Sequence, residues 1–213
     1  MGHPGRSCLL IHPPPAPAHL PHLSVSALPH PHSPAPPSAW IARWAHLVPA
    51  AGSVLDVACG QGRHMHWFHA RHHPVTGVDI SAEAIAHCRA WGEVIEADLE
   101  AGAWPLPGRQ FSAIVVTNYL WRPLLPTLVG SLAPGGVLLY ETFAAGNETV
   151  GRPARPDFLL QPGELLEACA ALRVLAYEDG FLENPSRYVQ RIAALRAPLH
   201  ADGTFLSPAR LGV

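Results

Sequence analysis

The chain has 213 residues, 48% of them apolar and only 14% charged, with a formal net charge of −2; that is room for one domain and a tail, and it excludes disorder of the chain as a whole. All 14 basic residues are arginine and they are scattered singly, so there is no basic stripe to displace counterions from a phosphate backbone, and nucleic-acid binding is disfavoured. Cys8, Cys59, Cys88 and Cys169 lack any C-x-x-C spacing, and no apolar run has the length of a signal peptide or a membrane span, which predicts a cytoplasmic protein without disulfides or a zinc ribbon.

Residues 1–37 hold 11 of the 24 prolines and 6 of the 14 histidines, with no acidic residue. Such a stretch builds neither a helix nor a packed core, so it is expected to be a disordered tail, or upstream sequence translated from a start placed too early. The domain is expected over residues 38–199, followed by a tail at 200–213. Ser38 should cap a helix that turns Trp40, Ile41, Trp44, Leu47 and Val48 to one side and ends at Pro49. Val54 to Ala58 reads as a buried parallel strand, followed by a glycine-containing turn and a helix to about Arg71. Val75 to Ile80 is a second strand, Ser81 caps a helix to about Ala90, and Val94 to Ala97 is a third strand. Phe111 to Thr117 is the fourth; Pro123 opens a helix running through Leu132; Gly136 to Phe143 is the fifth. Alternation of this kind predicts a doubly wound, Rossmann-like α/β sheet. A helix near Pro162 to Leu172 precedes two strands, Arg173 to Phe181 and Ser186 to Ala197, joined by a link so short that they must be antiparallel.

The segment VLDVACGQGRH, Val54 to His64, puts Gly60 and Gly62 where the first strand hands over to a helix, so backbone amides can approach an anionic group there. Met65 stands where a dinucleotide fingerprint needs its third glycine, and a chain without lysine has no P-loop. Asp79, at the tip of the second strand in VTGVDIS, can accept from both hydroxyls of a ribose; capping the next helix is its other reading. Asp98 in EADLE can accept from an adenine amino group. A ribose carboxylate and a base-edge carboxylate, with nothing to neutralise phosphate, ask for an adenosine without one, and S-adenosylmethionine is such a molecule. The histidines His64, His66, His69, His72 and His73 read as the polar face of the first helix running into strand two, and no metal is expected.

From about Ser38 to about Leu199 the chain resembles the class I S-adenosylmethionine-dependent methyltransferases. VLDVACGQGRH is similar to the family's first motif, with Ala58 in place of its usual first glycine; VTGVDIS, EADLE, FSAIVVTNYL and APGGVLLYETF resemble the motifs that follow, and Gly151 to Ala168 is most similar to small bacterial methyltransferases of the tellurite-resistance type. The resemblance implies a seven-stranded sheet, mostly parallel, with a C-terminal antiparallel hairpin as strands six and seven. It implies S-adenosyl-L-methionine held by Asp56 (on the methionine amino group), Ala58, Cys59, Gly60, Gly62, Arg63, Asp79, Ile80, Asp98, Leu99 and Asn118. Acceptor chemistry falls to the carboxyl ends of strands four and five, with Tyr119 orienting the acceptor and Glu141 as its base. Asn118 faces the methyl group from the same place. The arm from Ala144 to Phe158 is expected to be a lid or substrate loop, with Arg152 and Arg155 drawing an anionic acceptor. The expected activity is in-line methyl transfer to a small molecule such as a thiol or chalcogen oxyanion. The alternatives are a binding module without turnover, a methyltransferase acting on a macromolecule, or aminopropyl transfer, for which the loop NYLWRPLL supplies no acidic pocket.

Overall fold

The computed structural model describes residues 35–197, so most of the tail expected at 1–37, and all of that expected at 200–213, lies outside the described residues. Helix α1 (Ala39–Trp44) is followed by strand β1 (Val54–Val57), α2 (Arg63–His69), β2 (Val75–Asp79), α3 (Ala82–Cys88), β3 (Glu93–Glu96) and β4 (Phe111–Thr117). The chain continues through α4 (Leu125–Gly130), β5 (Leu132–Phe143), α5 (Glu164–Ala168), β6 (Arg173–Glu183) and β7 (Ser186–Leu195).

The seven strands make one sheet in the order β3-β2-β1-β4-β5-β7-β6. All neighbours from β3 to β5 pair in parallel, and β7 runs antiparallel to both β5 and β6. The order reverses at β1, whose carboxyl end is flanked by β2 on one side and β4 on the other. This is the switch point at which open α/β sheets bind ligands. Helices cover both faces, so the central strands are buried and, Asp56 apart, apolar: all four residues of β1 are buried, and so are Ala113 to Val116 of β4. One face packs Leu55, Val57, Ile114, Val116, Leu138 and Tyr140; the other packs Val54, Val115, Leu139, Met65, Phe68 and the indoles of Trp40 and Trp44.

Caps fall where the side-chain chemistry puts them. Ser38 accepts the Trp40 amide and opens α1, and Ser81 accepts the Ala84 amide and opens α3. The helix expected to run through Leu132 instead stops at Gly130, and Leu132 is the first residue of β5, opposite Phe111. The register slips beyond that pair, and the strand continues past Pro134 and two glycines before regular pairing resumes at Val137. A bulged strand start with proline inside it does not look like a strand in sequence. The helix expected from Pro162 shrinks to five residues, Glu164–Ala168, after Gly163 at φ +78°.

Candidate active site

Two cavities open over the carboxyl end of β1 and meet at Ala58, which lines both. The larger, about 450 Å³, is walled by Asp79, Ile80, Asp98, Leu99, Glu100 and Tyr119. The smaller, about 310 Å³, is walled by Ala35, Cys59, Gly60, Arg63, Thr117 and Asn118. The turn between them runs left-handed, with Ala58 at φ +51°, Gly60 at +52° and Gly62 at +73°, and Asn118, just after β4, is at +55°. A β-carbon costs about 1–2 kcal/mol in that region, and such outliers persist where the surroundings hold them. At Gly62 there is also no room, since a β-carbon would sit 2.5 Å from the Cys88 sulfur and 2.9 Å from the Trp91 ring. Gly62 therefore faces the packed side of α3, and its part in the site is to let the turn lie flat against that helix.

Asp79 is tied to the turn. Its Oδ2 accepts the Gly60 amide at 2.7 Å and its Oδ1 accepts the Ser81 amide at 2.9 Å. Each carboxylate oxygen accepts more than one hydrogen bond, so both retain capacity toward the cavity. Asp98 spends Oδ1 on the amides of Glu100 and Ala101, at 2.8 and 3.0 Å; those bonds hold its carboxyl below the usual range, ionised and with Oδ2 to spare. Ile80, 64% exposed, is an aliphatic side chain at the rim beside Asp79. Arg63 reaches across the smaller cavity to Thr117 Oγ1 at 3.4 Å, and it has no ion-pair partner among the described residues.

Three residues given roles at the reacting end sit elsewhere. Tyr119 walls the larger cavity, on the side of Asp79 and Asp98. Burial pushes its phenol well above the ordinary range, with Glu100, Asp98 and Asp79 adding to the effect. Its hydroxyl is buried without a partner among the described residues. Asp56 lines neither cavity: it is 1% exposed beneath the turn, 3.8 Å from His64 Nδ1, with Oδ2 unpartnered. Burial drives its carboxyl upward, Cys88 adds to this, and Arg63 opposes it. Glu141 is also 1% exposed. Its carboxylate accepts from Ser38 Oγ at 3.0 Å, Arg187 at 3.3 Å and Arg191 at 3.2 Å. Two guanidinium groups and a hydroxyl thus engage both oxygens of this buried carboxylate, which lines neither cavity.

The arm after β5 is fastened rather than free. Buried Asn147 donates to the Pro153 carbonyl and accepts the Tyr188 amide, and Leu160 and Ala145 bond back to the strand and to each other. Arg155 is paired with Asp157 at 2.8 Å, which removes it as a free anion receptor. Sequence reasoning missed Arg122, which forks onto both oxygens of Glu164 and reaches the carbonyls of Asp157 and Leu159. It also missed His64, placed on a polar face but 1% exposed. The signal was present: His64, Met65 and Phe68 share one face of α2 at i, i+1, i+4. No cluster of three or more metal-ligating side chains occurs among the described residues.

Residues 54–136 match the family described as the methyltransferase domain. The chain is 35% identical over 115 residues to a dTDP-3-amino-3,4,6-trideoxy-alpha-D-glucopyranose N,N-dimethyltransferase of Streptomyces venezuelae, covering 46% of this chain and 48% of that one. It is 32% identical over 113 residues to a malonyl-[acyl-carrier protein] O-methyltransferase of Pectobacterium atrosepticum, covering 47% and 43%. The chain thus spans about half the length of the curated relatives it matches. Residues 54–136 are thus similar to a methyltransferase domain. The fold of the chain is similar to that of TehB from Haemophilus influenzae, with a TM-score of 0.58 and 22% identity over 71% of this chain and 60% of that one. An S-adenosylmethionine-dependent methyltransferase from Mesorhizobium loti gives 0.59 and 18% over 75% and 99%.

The chemistry of the cleft lining is compatible with S-adenosylmethionine. The larger cavity presents two carboxylates, Asp79 and Asp98, beside the aliphatic side chain of Ile80, a hydrogen-bond-accepting and apolar lining of the kind an adenosine would need. A β-carbon on Gly60 would meet nothing within 4 Å, so the space above the turn is open to a ligand. No helix among the described residues is long and apolar enough to cross a membrane.

Proposed function

We propose that the protein transfers a methyl group from S-adenosylmethionine to a small-molecule acceptor. The observation that carries this is the joined pair of cavities: one end offers Asp79 and Asp98 to an adenosine, and the other offers Arg63 to a carboxylate beside a backbone turn held open by Ala58 and Gly60. Bound there, the cofactor supplies a methyl group on a sulfonium, open to in-line attack.

What the chain must do is hold the acceptor about 3 Å from the methyl carbon and keep water out. Arg63, anchored on Thr117, fixes the methionine end; Asp79 and Ile80 fix the nucleoside; the methyl group then faces Asn118 and the end of β4. With Glu141 committed to two arginines and Tyr119 on the adenosine side, neither side chain nominated for acceptor chemistry stands at the acceptor. The reading is therefore transfer by proximity to an acceptor that is already nucleophilic, such as a thiolate or a chalcogen oxyanion, in the cytoplasm. The acceptors named for the curated relatives, an amino-sugar nucleotide and an acyl group on a carrier protein, make carrier-borne groups the second class to try. Purified protein, labelled S-adenosylmethionine and a panel of thiols, oxyanions, amines and acyl carriers test this. Turnover with a thiol or oxyanion is the expected result. Failure of the purified protein to bind S-adenosylmethionine or S-adenosylhomocysteine in calorimetry would overturn the proposal.

A further inference from the structure

Ser38 stands where three elements meet. Its amide donates to His64 Nε2 at 3.1 Å, its hydroxyl donates to Glu141 Oε1 at 3.0 Å, and the same oxygen accepts the Trp40 amide at 3.1 Å. All four residues are buried. Three positions earlier Ala35 forms part of the wall of the smaller cavity. Between them lie Pro36 and Pro37, which have no amide hydrogen and restrict each other to extended backbone. The Ser38 amide is therefore the first backbone donor after Ala35 that can fasten this stretch, and a stiff spacer carries its position to the cavity wall.

The bond needs an acceptor at Nε2, so the ring is neutral with its proton on Nδ1, the side that faces Asp56. Burial among apolar groups holds it so, taking His64 down to about 3, and Arg63 nearby adds to that.

We infer that His64 is a positioning residue for the donor cleft: it does not touch the cofactor, but it clips Ser38 and thereby sets the wall that Ala35 contributes opposite the glycine turn. This rests on the reading that the cleft holds S-adenosylmethionine. A buried histidine that only fills space would matter to stability alone; this one also sets ligand affinity, through one hydrogen bond.

Calorimetric titration with S-adenosylhomocysteine tests it. His64→Leu should weaken binding roughly tenfold or more, while His64→Gln, whose amide oxygen takes the place of Nε2, should stay within about threefold of the parent. Ser38 has φ −54° and ψ 137°, a backbone that proline adopts, so Ser38→Pro deletes the amide donor together with the hydroxyl and should lose at least as much as His64→Leu. Ser38→Ala keeps the amide and should lose less. The double variant of His64→Leu and Ser38→Pro should be no more than about threefold weaker than the weaker single one, because the bond from the Ser38 amide to His64 is already lost in each. Parent-like binding by His64→Leu, failure of His64→Gln to restore it, or losses that multiply would overturn the inference. If His64→Leu does not fold, Ser38→Pro against Ser38→Ala decides, equal affinities overturning it. Hydrogen exchange at the Ser38 amide in ligand-free protein separates the clip from the cofactor. Protection kept in His64→Gln and lost in Ser38-contacting variants such as His64→Leu is expected, and an unprotected parent overturns the clip. A protected parent that binds no S-adenosylhomocysteine would instead sink the donor reading.

Discussion

Asp79 does two jobs with one carboxylate. It holds the Gly60 amide, and so the shape of the turn, and in the proposed function its remaining lone pairs would accept from a ribose. Asp79→Ala removes both, so cofactor affinity should fall by about 30-fold to nearly 1000-fold, roughly 2–4 kcal/mol, read by calorimetry. Affinity equal to the parent's would remove Asp79 from the site. Glu141 illustrates the opposite outcome, a carboxylate at the end of a catalytic-looking strand whose neighbours make it structural. Replacing it by glutamine strips one charge from a buried cluster and leaves Arg187 and Arg191 facing a neutral amide. Breaking a buried pair in this way costs about 3–5 kcal/mol, so Glu141→Gln should lower the urea midpoint markedly. Unchanged stability with turnover down about 100-fold would restore it as a general base.

At the scale of elements, the arm between β5 and α5 owes its order to Arg122, the first residue of the 3₁₀ turn Arg122–Leu124. Its guanidinium reaches two backbone carbonyls of the arm as well as Glu164. Bonds to charged groups contribute about 1.5–3 kcal/mol each before partial exposure discounts them. Arg122→Met should therefore open the segment around Asp157 to limited proteolysis, with a modest drop in melting temperature; a cleavage pattern like the parent's would show that the arm holds itself. None of this was readable from residue spacing, because Arg122 and Glu164 are 42 positions apart and a pairing at that distance exists only once the fold does. The elements themselves were legible for the converse reason. Strands buried on both faces must be continuously apolar, helices need a cap and a stripe, and Ser38, Ser81 and the run Val54 to Val57 satisfy those local conditions. Legibility failed where local chemistry points one way and pairing the other, as at Leu132, whose helical neighbours hide a strand that only Phe111 opposite can specify. It failed again at His64 and Glu141, where a polar residue on a buried face looks solvated or catalytic until its partners are known.

For the molecule as a whole, one row of polar groups crosses four neighbouring strands of the sheet. Thr117, Glu141, Arg191 and Glu178 are register neighbours on β4, β5, β7 and β6, and Ser38 with His64 links that row to Asp56 under the turn. Stability should therefore carry a pH signature from His64, the one buried imidazole among the described residues. His64 binds its proton near 6.5 in the unfolded chain and near 3 in the folded one. Between those values the unfolded state holds more protons, so stability rises with pH across this window and is lost as pH falls below about 6.5. From pH 7 to pH 5 the loss from this one group should be roughly 1–3 kcal/mol. Asp56 works against it: burial raises its folded value, so its contribution is largest in acid and fades as pH rises through the range where the unfolded carboxylate ionises. The imidazole is isolated by comparing slopes. Urea unfolding at pH 5, 6 and 7 should show the parent losing stability in acid more steeply than His64→Gln, which cannot titrate there, while the carboxylates common to both cancel. Parallel pH profiles would mean that His64 binds its proton as readily in the folded chain as in the unfolded one, and the neutral ring would then not be what holds the cleft wall.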